Sequence, residues 1–465
     1  MYKLSTVLES TVSIGFCCGC GICAGICPSQ TLEMQWNVYG EYNPVKLKPC
    51  PKECGLCVKV CPFANGNHNE DVLGANLFQN FPGIQHRSET GYYLSSGVGA
   101  VADQERRMSS SSGGLATWFL EELLRTKVVD VVICVEHSDD GKRLFRFHAA
   151  TTPEEIRAST GSVYYPVELS EMIRFIQTHP GRYAIIGLPC VLKGLRLAQE
   201  HFPYLRERIV MLIGLACCNQ KSSHFTKYAA YRSGLKEDIA LCSFRYKSYT
   251  LPRNFYKLRF KGVNGTETEK DWGGPDQLWK MYLGRCLTLH SCDCCDDMHA
   301  ECADVTFMDA WLREYSAEPR GTSLWVARIP LASEILSIGI NEKTLDASMI
   351  SIDKVILAQD SIRWKREMLM FRLLLMVERG ELCPEKRVSP ERGALTILER
   401  NQCRKALEIQ RESRLRYIDG FEAFGKWFDV TYKNRPFYIR IYNHSLAVLV
   451  SAYHLYRRVT EGVKK

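Results

Sequence analysis

Long apolar runs are the first thing missing from this chain of 465 residues. No stretch reaches the roughly 18 apolar residues that a helix needs to cross a bilayer. Met1 to Gly15 carries no basic segment followed by an apolar core, so no secretory signal is expected, and a reducing, cytoplasmic setting is. There is no Walker A sequence and no G-x-G-x-x-G, which removes support for a P-loop and for NAD in a Rossmann mode. No acid pair has the spacing of a general acid–base dyad, and His137, His148, His224 and His299 are scattered. Hydrophobic residues at 46% and charged residues at 24% exclude a disordered or collagen-like chain. The net charge of +8 is not general: Leu395 to Lys465 holds 14 Lys and Arg against 7 Asp and Glu. Basicity confined to one end gives no reason to expect a nucleic-acid partner.

Cysteine, by contrast, is abundant, with 21 residues. Disulfide scaffolds are mostly short secreted domains, and an odd total does not pair completely, so metal binding is the better reading. Nine of the cysteines fall in the first 65 residues. Cys17, Cys20, Cys23 and Cys27-Pro28 follow C-x2-C-x2-C-x3-C-P, and Cys50, Cys54, Cys57 and Cys61-Pro62 repeat it with one extra residue after Cys50. Two such runs mark a two-cluster bacterial ferredoxin, in which the cysteine before each proline ligates the other cluster. The assignment is therefore Cys17, Cys20, Cys23 and Cys61 to one 4Fe-4S cluster, and Cys50, Cys54, Cys57 and Cys27 to a second. Gly19, Gly21 and Gly55 allow the backbone to approach. Cys18 is read as a spare loop thiol. A pair of zinc sites is the alternative, but tetrahedral zinc has no need of three cysteines at this spacing followed by C-P, twice.

Beyond the polar stretch from Asn67 to Ser88 the pattern turns α/β. Val128 to Val135, Arg182 to Gly187 and Arg208 to Leu215 read as strands buried on both faces. The last two flank a helical stretch with Leu192, Leu195 and Leu197, so they form a parallel βαβ unit. Cys190 and Cys217 then lie just past the carboxyl ends of neighbouring strands, where open α/β sheets bind ligands. Cys292 and Cys295 form a C-x2-C pair that completes a third four-thiol set, with Cys218 and Cys294 as substitutes. Zinc, or plain buried thiols, are the alternatives. Ser111-Ser112-Gly113-Gly114 opens a helical pattern through Leu115, Phe119 and Leu123, which suits either an anion site or a serine cap.

These segments, in order, resemble the beta subunit family of coenzyme F-420 hydrogenase/dehydrogenase. The resemblance runs from about Arg87 to Arg328. It is carried by the Ser/Gly loop, Gly161-Ser162-Val163-Tyr164-Tyr165-Pro166, Gly187-Leu188-Pro189-Cys190, Gly214-Leu215-Ala216-Cys217, Phe244-Arg245-Tyr246-Lys247, Cys292-Asp293-Cys294-Cys295 and Ala303 to Trp311. It implies bound FAD, with contacts expected from Ser111, Ser112, Gly113, Gly114, Ser162, Tyr164, Arg245 and Lys247. It also implies three 4Fe-4S clusters in all. The chain departs from the family at Val191, where glutamine is usual, and at Met308, where glycine is usual.

The expected fold class is α/β. Residues 1–66 form a two-cluster 4Fe-4S ferredoxin domain, and residues 67–88 a linker. Residues 89–384 form an open α/β flavin-binding domain, and residues 385–465 a helical basic tail. The expected function is an iron–sulfur flavoprotein oxidoreductase, passing electrons between clusters, FAD and coenzyme F-420, a ferredoxin or an organic substrate. The rival is a non-catalytic relay subunit docked to a catalytic chain. In the tail, Arg392 to Ile418 reads as a basic amphipathic helix with Leu395, Leu398, Leu407, Leu415 and Ile418. Arg435 to Arg440 and the apolar stretch Ser445 to Tyr456 follow. Either an acidic redox partner, a second copy or the inner face of a membrane is expected to meet this tail, with a helical cap on the chain's own core as the alternative.

Overall fold

The computed structural model describes residues 6–50, 54–159, 161–247, 256–273, 276, 278–359 and 361–432. An eight-stranded mixed sheet organises them. Its centre is four parallel strands in the spatial order Val131–His137, Tyr183–Gly187, Ile209–Leu215 and Val305–Asp309. Ser323–Ala327, Ser95–Val101 and Leu345–Met349 extend one side, each antiparallel to its neighbour, and Phe145–Ala150 closes the other. The continuous apolar runs are explained by burial on both faces. Ile133, Ile185 and Leu212 join one core, while Val132, Ala184, Met211 and Ile213 join another beneath helix Leu115–Arg125.

The expected βαβ unit is present. Helix Pro189–His201 connects Tyr183–Gly187 to Ile209–Leu215, with Gly187 opposite Gly214. Proline at its first turn costs no hydrogen bond, because that N–H has no intrahelical partner. The register leaves Cys190 and Cys217 at one edge of the sheet.

The N-terminal region repeats a small device. Helices Ile22–Gly25 and Leu56–Lys59 are single turns, and each is entered through a glycine with positive φ, Gly21 at 79° and Gly55 at 65°. A hairpin of Leu32–Trp36 and Tyr42–Lys46 covers them. This region does not stand apart from the sheet: Ile22, Ala24 and Val60 share one buried core with Ile173, Leu192 and Leu195. The Leu169 N–H donates to the Cys20 carbonyl at 3.0 Å.

Two expectations are corrected. The stretch 67–88 is not irregular, for it holds helix Glu70–Phe78. Its polar residues are structural: Asn69 accepts from the Val72 N–H as a cap, and buried Glu70 pairs with Lys193 at 3.2 Å. In the tail, helix Ile397–Ile418 starts on a Thr396–Glu399 capping box and turns its buried side to the chain itself. Gln410 Nε2 donates to the Thr288 carbonyl at 2.8 Å, the Leu287 N–H donates to Ser413 Oγ at 2.8 Å, and Tyr417 stacks on His224 at 3.9 Å. The expected apolar face is therefore split. Leu395 and Leu407 are buried, whereas Leu415 and Ile418 are exposed. Arg435 to Arg440 and Ser445 to Tyr456 lie outside the described residues. Among the described residues no helix is long and apolar enough to cross a membrane.

Gly21 and Gly66 separate backbone strain from packing. Both have φ near +80°, but a Cβ on Gly21 would lie 2.3 Å from Glu168 Oε2 and 2.9 Å from the Leu169 nitrogen, while one on Gly66 meets nothing. Alanine at either position carries the left-handed cost of about 1–2 kcal/mol. Gly21→Ala should lose about 1–3 kcal/mol more than Gly66→Ala through overpacking, read from thermal or denaturant midpoints. Equal losses would refute tight docking of the N-terminal region on the sheet.

Candidate metal centres and cofactor site

The cysteines of the N-terminal region fall into two groups in space. Cys27, Cys50, Cys54 and Cys57 line one cavity of about 460 Å³ with Pro28 and Gly55. Cys50, the least regular in spacing, is among them. Backbone N–H groups point at the sulfurs, Val7 to Cys57 at 3.4 Å and Thr31 to Cys27 at 3.3 Å. Burial alone would push the Cys27 thiol up, but the Thr31 N–H and the Ser29 hydroxyl outweigh it and hold the thiol below its ordinary range. Cys17, Cys20, Cys23 and Cys61 form the other group. Burial, reinforced by neighbouring cysteines in the group, pushes Cys17 up to about 12 and Cys61 up to about 11, and raises Cys23 well above its ordinary value. The Gly19 N–H lies 3.4 Å from Cys17 Sγ, and Thr11 Oγ1 3.5 Å from Cys61 Sγ.

The third set converges from distant parts of the chain. Cys190, Cys217, Cys292 and Cys295 line one cavity of about 300 Å³ at the carboxyl edge of the parallel strands. Cys190 enters at the start of its helix, Cys217 follows its strand, and Cys292 and Cys295 come from the turn around His290–Cys294. Cys218 and Cys294, the substitutes, do not line it. The Gln220 N–H donates to Cys292 Sγ at 3.3 Å. Burial pushes the Cys292 thiol up to about 12 and the Cys217 thiol well above its ordinary value.

Two residues in this cavity were not assigned from sequence. Cys18, read as a spare loop thiol, lines it and lies within hydrogen-bonding reach of both Cys190 and Cys20. Cys18 therefore stands between the first and third thiol sets. Its partner in the third set, Cys190, lies far off in sequence, so spacing gave no signal. Lys365, at the end of helix Ser361–Lys365, also lines the cavity and is 1% exposed. Burial works against its charge, but Cys295, Cys217 and Cys292 outweigh that and raise it above the ordinary lysine range. Among the described residues no three Cys, His, Asp or Glu side chains converge closely enough to hold a single metal ion. The sulfurs line cavities instead. Four thiols around a space, with N–H donors and a buried cation, form a donor set that fits a 4Fe-4S cluster.

The expected flavin contacts also meet. Arg245 Nε donates to the Tyr164 hydroxyl at 2.7 Å and Arg245 Nη1 to Asp309 Oδ2 at 2.8 Å. Burial opposes the Arg245 charge, yet Asp309 and the two tyrosines Tyr164 and Tyr256 hold its pKa well above the ordinary value. Ser162 hydrogen-bonds Tyr164. Tyr256 lies under the Arg245 guanidinium at 5.2 Å and donates to the Ser111 carbonyl at 3.1 Å. Lys247 Nζ donates to the carbonyls of Arg107, Ser112 and Arg320 at 2.5–2.7 Å, clamping the Ser/Gly loop. Gly114, not a serine, caps helix Leu115–Arg125, with φ at 84°. The Gly113 N–H is taken up by Ser323 Oγ at 2.9 Å, and the Ser112 hydroxyl donates to the Thr322 carbonyl. The loop is thus ordered by the sheet behind it. Asp309 and Tyr256 join this group; Asp309 falls inside the Ala303 to Trp311 motif, whereas nothing in spacing singled out Tyr256.

Fold and site together define an α/β protein with a large mixed sheet whose carboxyl edge gathers thiols. The family described as coenzyme F420 hydrogenase/dehydrogenase, beta subunit, matches it twice: its N-terminal part over residues 98–174 and its C-terminal part over residues 181–352. The two matches cover more than half of the chain, and the chain belongs to this family. It is 21% identical over 222 residues to a subunit of the F(420)H(2) dehydrogenase of Methanosarcina mazei, covering 46% of this chain and 56% of that protein. It is 23% identical over 321 residues to the coenzyme F420-dependent sulfite reductase of Methanocaldococcus jannaschii, covering 66% of this chain and 43% of that protein. The chain spans about half the length of these curated relatives. A chain of the F420-reducing [NiFe] hydrogenase complex from Methanosarcina barkeri, solved as a xenon derivative, is similar at 15% identity with a TM-score of 0.47. That likeness covers 63% of this chain and 97% of the other.

Replacing Cys292 and Cys295 together with serine should remove about four of roughly 12 iron atoms per chain, one cubane of three. Iron and acid-labile sulfide on anaerobically purified protein measure this. Unchanged iron would reject the third set as a cluster site.

Proposed function

We propose that this chain is an iron–sulfur flavoprotein oxidoreductase. It carries three 4Fe-4S clusters and FAD, and passes electrons between them and coenzyme F-420, a ferredoxin or an organic substrate. The observation that carries the reading is the third thiol set: four cysteines from three separate segments meet at the sheet edge where α/β proteins bind ligands, beside a thiol of the N-terminal region. Family membership and the redox names of both curated relatives support it. Cavities lined by thiols favour clusters over single zinc ions.

When bound, a flavin exchanges electron pairs as hydride while iron–sulfur clusters pass single electrons, so the two together convert one kind of transfer into the other. The chain's residues supply placement. The crossed ligands Cys27 and Cys61 tie the two N-terminal sites to each other. Cys18 spans the gap from the first site to the third. The exposed Cys54 opens the second site toward an outside carrier. Asp309 and Tyr164 fix the Arg245 guanidinium as an oriented cation for an anionic cofactor or carrier. Lys247 holds the Ser/Gly loop in one conformation, which prepares the start of helix Leu115–Arg125 for a pyrophosphate. Met308, where the family resemblance gives glycine as usual, packs into a hydrophobic core with Leu324 and Val326 on the opposite face of the strand from Asp309.

A second reading, a relay subunit docked to a catalytic partner chain, draws on one relative being named a subunit. The two readings part on one measurement. Purified chain that is yellow and reduces F-420 or a ferredoxin unaided supports the enzyme, and flavin-free chain that works only with an added partner supports the relay.

The flavin released on denaturation should be FAD, at close to one per chain. Lys247→Met removes charged hydrogen bonds worth about 1.5–3 kcal/mol. FAD should then bind roughly tenfold more weakly or worse, while iron is unchanged. Full FAD retention in that variant would sink the loop assignment.

A further inference from the structure

The three thiol sites are built alike in their sulfurs and differ in their charge. The third cavity contains a lysine: Lys365 is 1% exposed, lines the cavity with Cys190, Cys217, Cys292 and Cys295, and forms no ion pair with a carboxylate among the described residues. The second cavity has Lys46, but that side chain is exposed, where water screens it. In the first group the described hydrogen bonds to sulfur come from neutral donors, the Gly19 N–H and Thr11 Oγ1. A buried ammonium without a carboxylate needs an anion beside it, since an unpaired buried charge is strongly destabilising. The sulfur set offers one, since Asp297, the carboxyl that also lines the cavity, makes no ion pair with Lys365 among the described residues.

We infer that Lys365 is a positioning residue that sets the redox poise of the third site: its fixed positive charge raises the reduction potential there above that of the two N-terminal sites. The inference rests on the three-cluster reading given above. One-electron reduction adds a negative charge to a cluster and neither forms nor breaks a bond, so a cation held in low dielectric favours the reduced form. Lys365 keeps its proton throughout, and the electron comes from a reduced one-electron carrier of the ferredoxin type that is oxidised at the N-terminal sites. The consequence is direction. Electrons arriving at the exposed second site run downhill through the first, past Cys18, to the third, beside Asp297 and Gln220 at the sheet edge.

The test is an EPR-monitored redox titration of the full chain, purified anaerobically, with dithionite as reductant, on wild type, Lys365→Met and Lys365→Arg. Iron and sulfide are counted on each. Wild type should show one cluster signal reduced at a higher potential than the other two. Lys365→Met should lower the reduced-to-oxidised ratio of that signal about tenfold at a fixed potential, about 59 mV for one electron. It should leave the other two signals in place and iron at the wild-type count. Lys365→Arg, which keeps the charge, should restore most of the difference. An unshifted signal in Lys365→Met at full iron overturns this inference and leaves the three-cluster reading standing. Wild-type protein with only two clusters overturns both. Should Lys365→Met lose iron, Lys365→Arg and Lys365→Gln decide: the inference requires a lower potential in Gln than in Arg, and equal potentials refute it.

Discussion

Sulfur anions held out of water need a positive or hydrogen-bonding environment, and that constraint shapes much of this molecule. Most of the twelve assigned thiols are buried or half-buried. Where burial outweighs the donors it drives a thiol toward its neutral form, as at Cys17, Cys61 and Cys292. Where donors are supplied, as for Cys27 between Thr31 and Ser29, the balance reverses. The features that look incidental in the sequence serve this need. Gly19, with positive φ, turns the backbone so that its N–H faces the Cys17 sulfur, the N–H groups of Val7, Thr31 and Gln220 face other sulfurs, and a lysine is buried beside the third set.

The second consequence is that the N-terminal region and the sheet are a continuous object. A ferredoxin-like pattern at one end of a chain invites the picture of a tethered module. Instead Ile22, Ala24 and Val60 sit in one core with Leu192 and Leu195, and Gly21 presses on Glu168 and Leu169. The same helix, Pro189–His201, therefore carries Cys190 at its start and supports the first thiol set along its side. Packing that fixes this helix fixes the separation of two thiol sets. Cys18, between Cys20 and Cys190, is where that coupling is closest.

What was legible in the sequence had a local cause. The twin cysteine runs are local, and so is the βαβ unit, whose strands differ from the expected ones by a residue or so. The third thiol set was legible only because strand ends of a parallel sheet are a place, so that Cys190 and Cys217 could be brought together by topology before any contact was known. What was missed depended on contacts between distant segments. Cys18 has no spacing partner, Lys365 ends a five-residue helix without a motif, and the polar stretch 67–88 holds helix Glu70–Phe78 because Asn69 caps it and Lys193 pairs with Glu70. The tail helix was foreseen, but not its seat. Its buried side is partly polar, through Gln410 and Ser413, and an apolar-stripe reading could not see that these residues satisfy backbone groups at 287 and 288.

The claim on which the account turns is that the sheet edge holds a polynuclear iron site of its own. Crystals of anaerobically purified chain, measured with X-rays on either side of the iron absorption edge, test it most directly. The account requires three strong iron peaks per chain, one of them enclosed by Cys190, Cys217, Cys292 and Cys295. Two peaks confined to the N-terminal cysteines, or a single-ion peak at the sheet edge that responds at the zinc edge and not at iron, would contradict it.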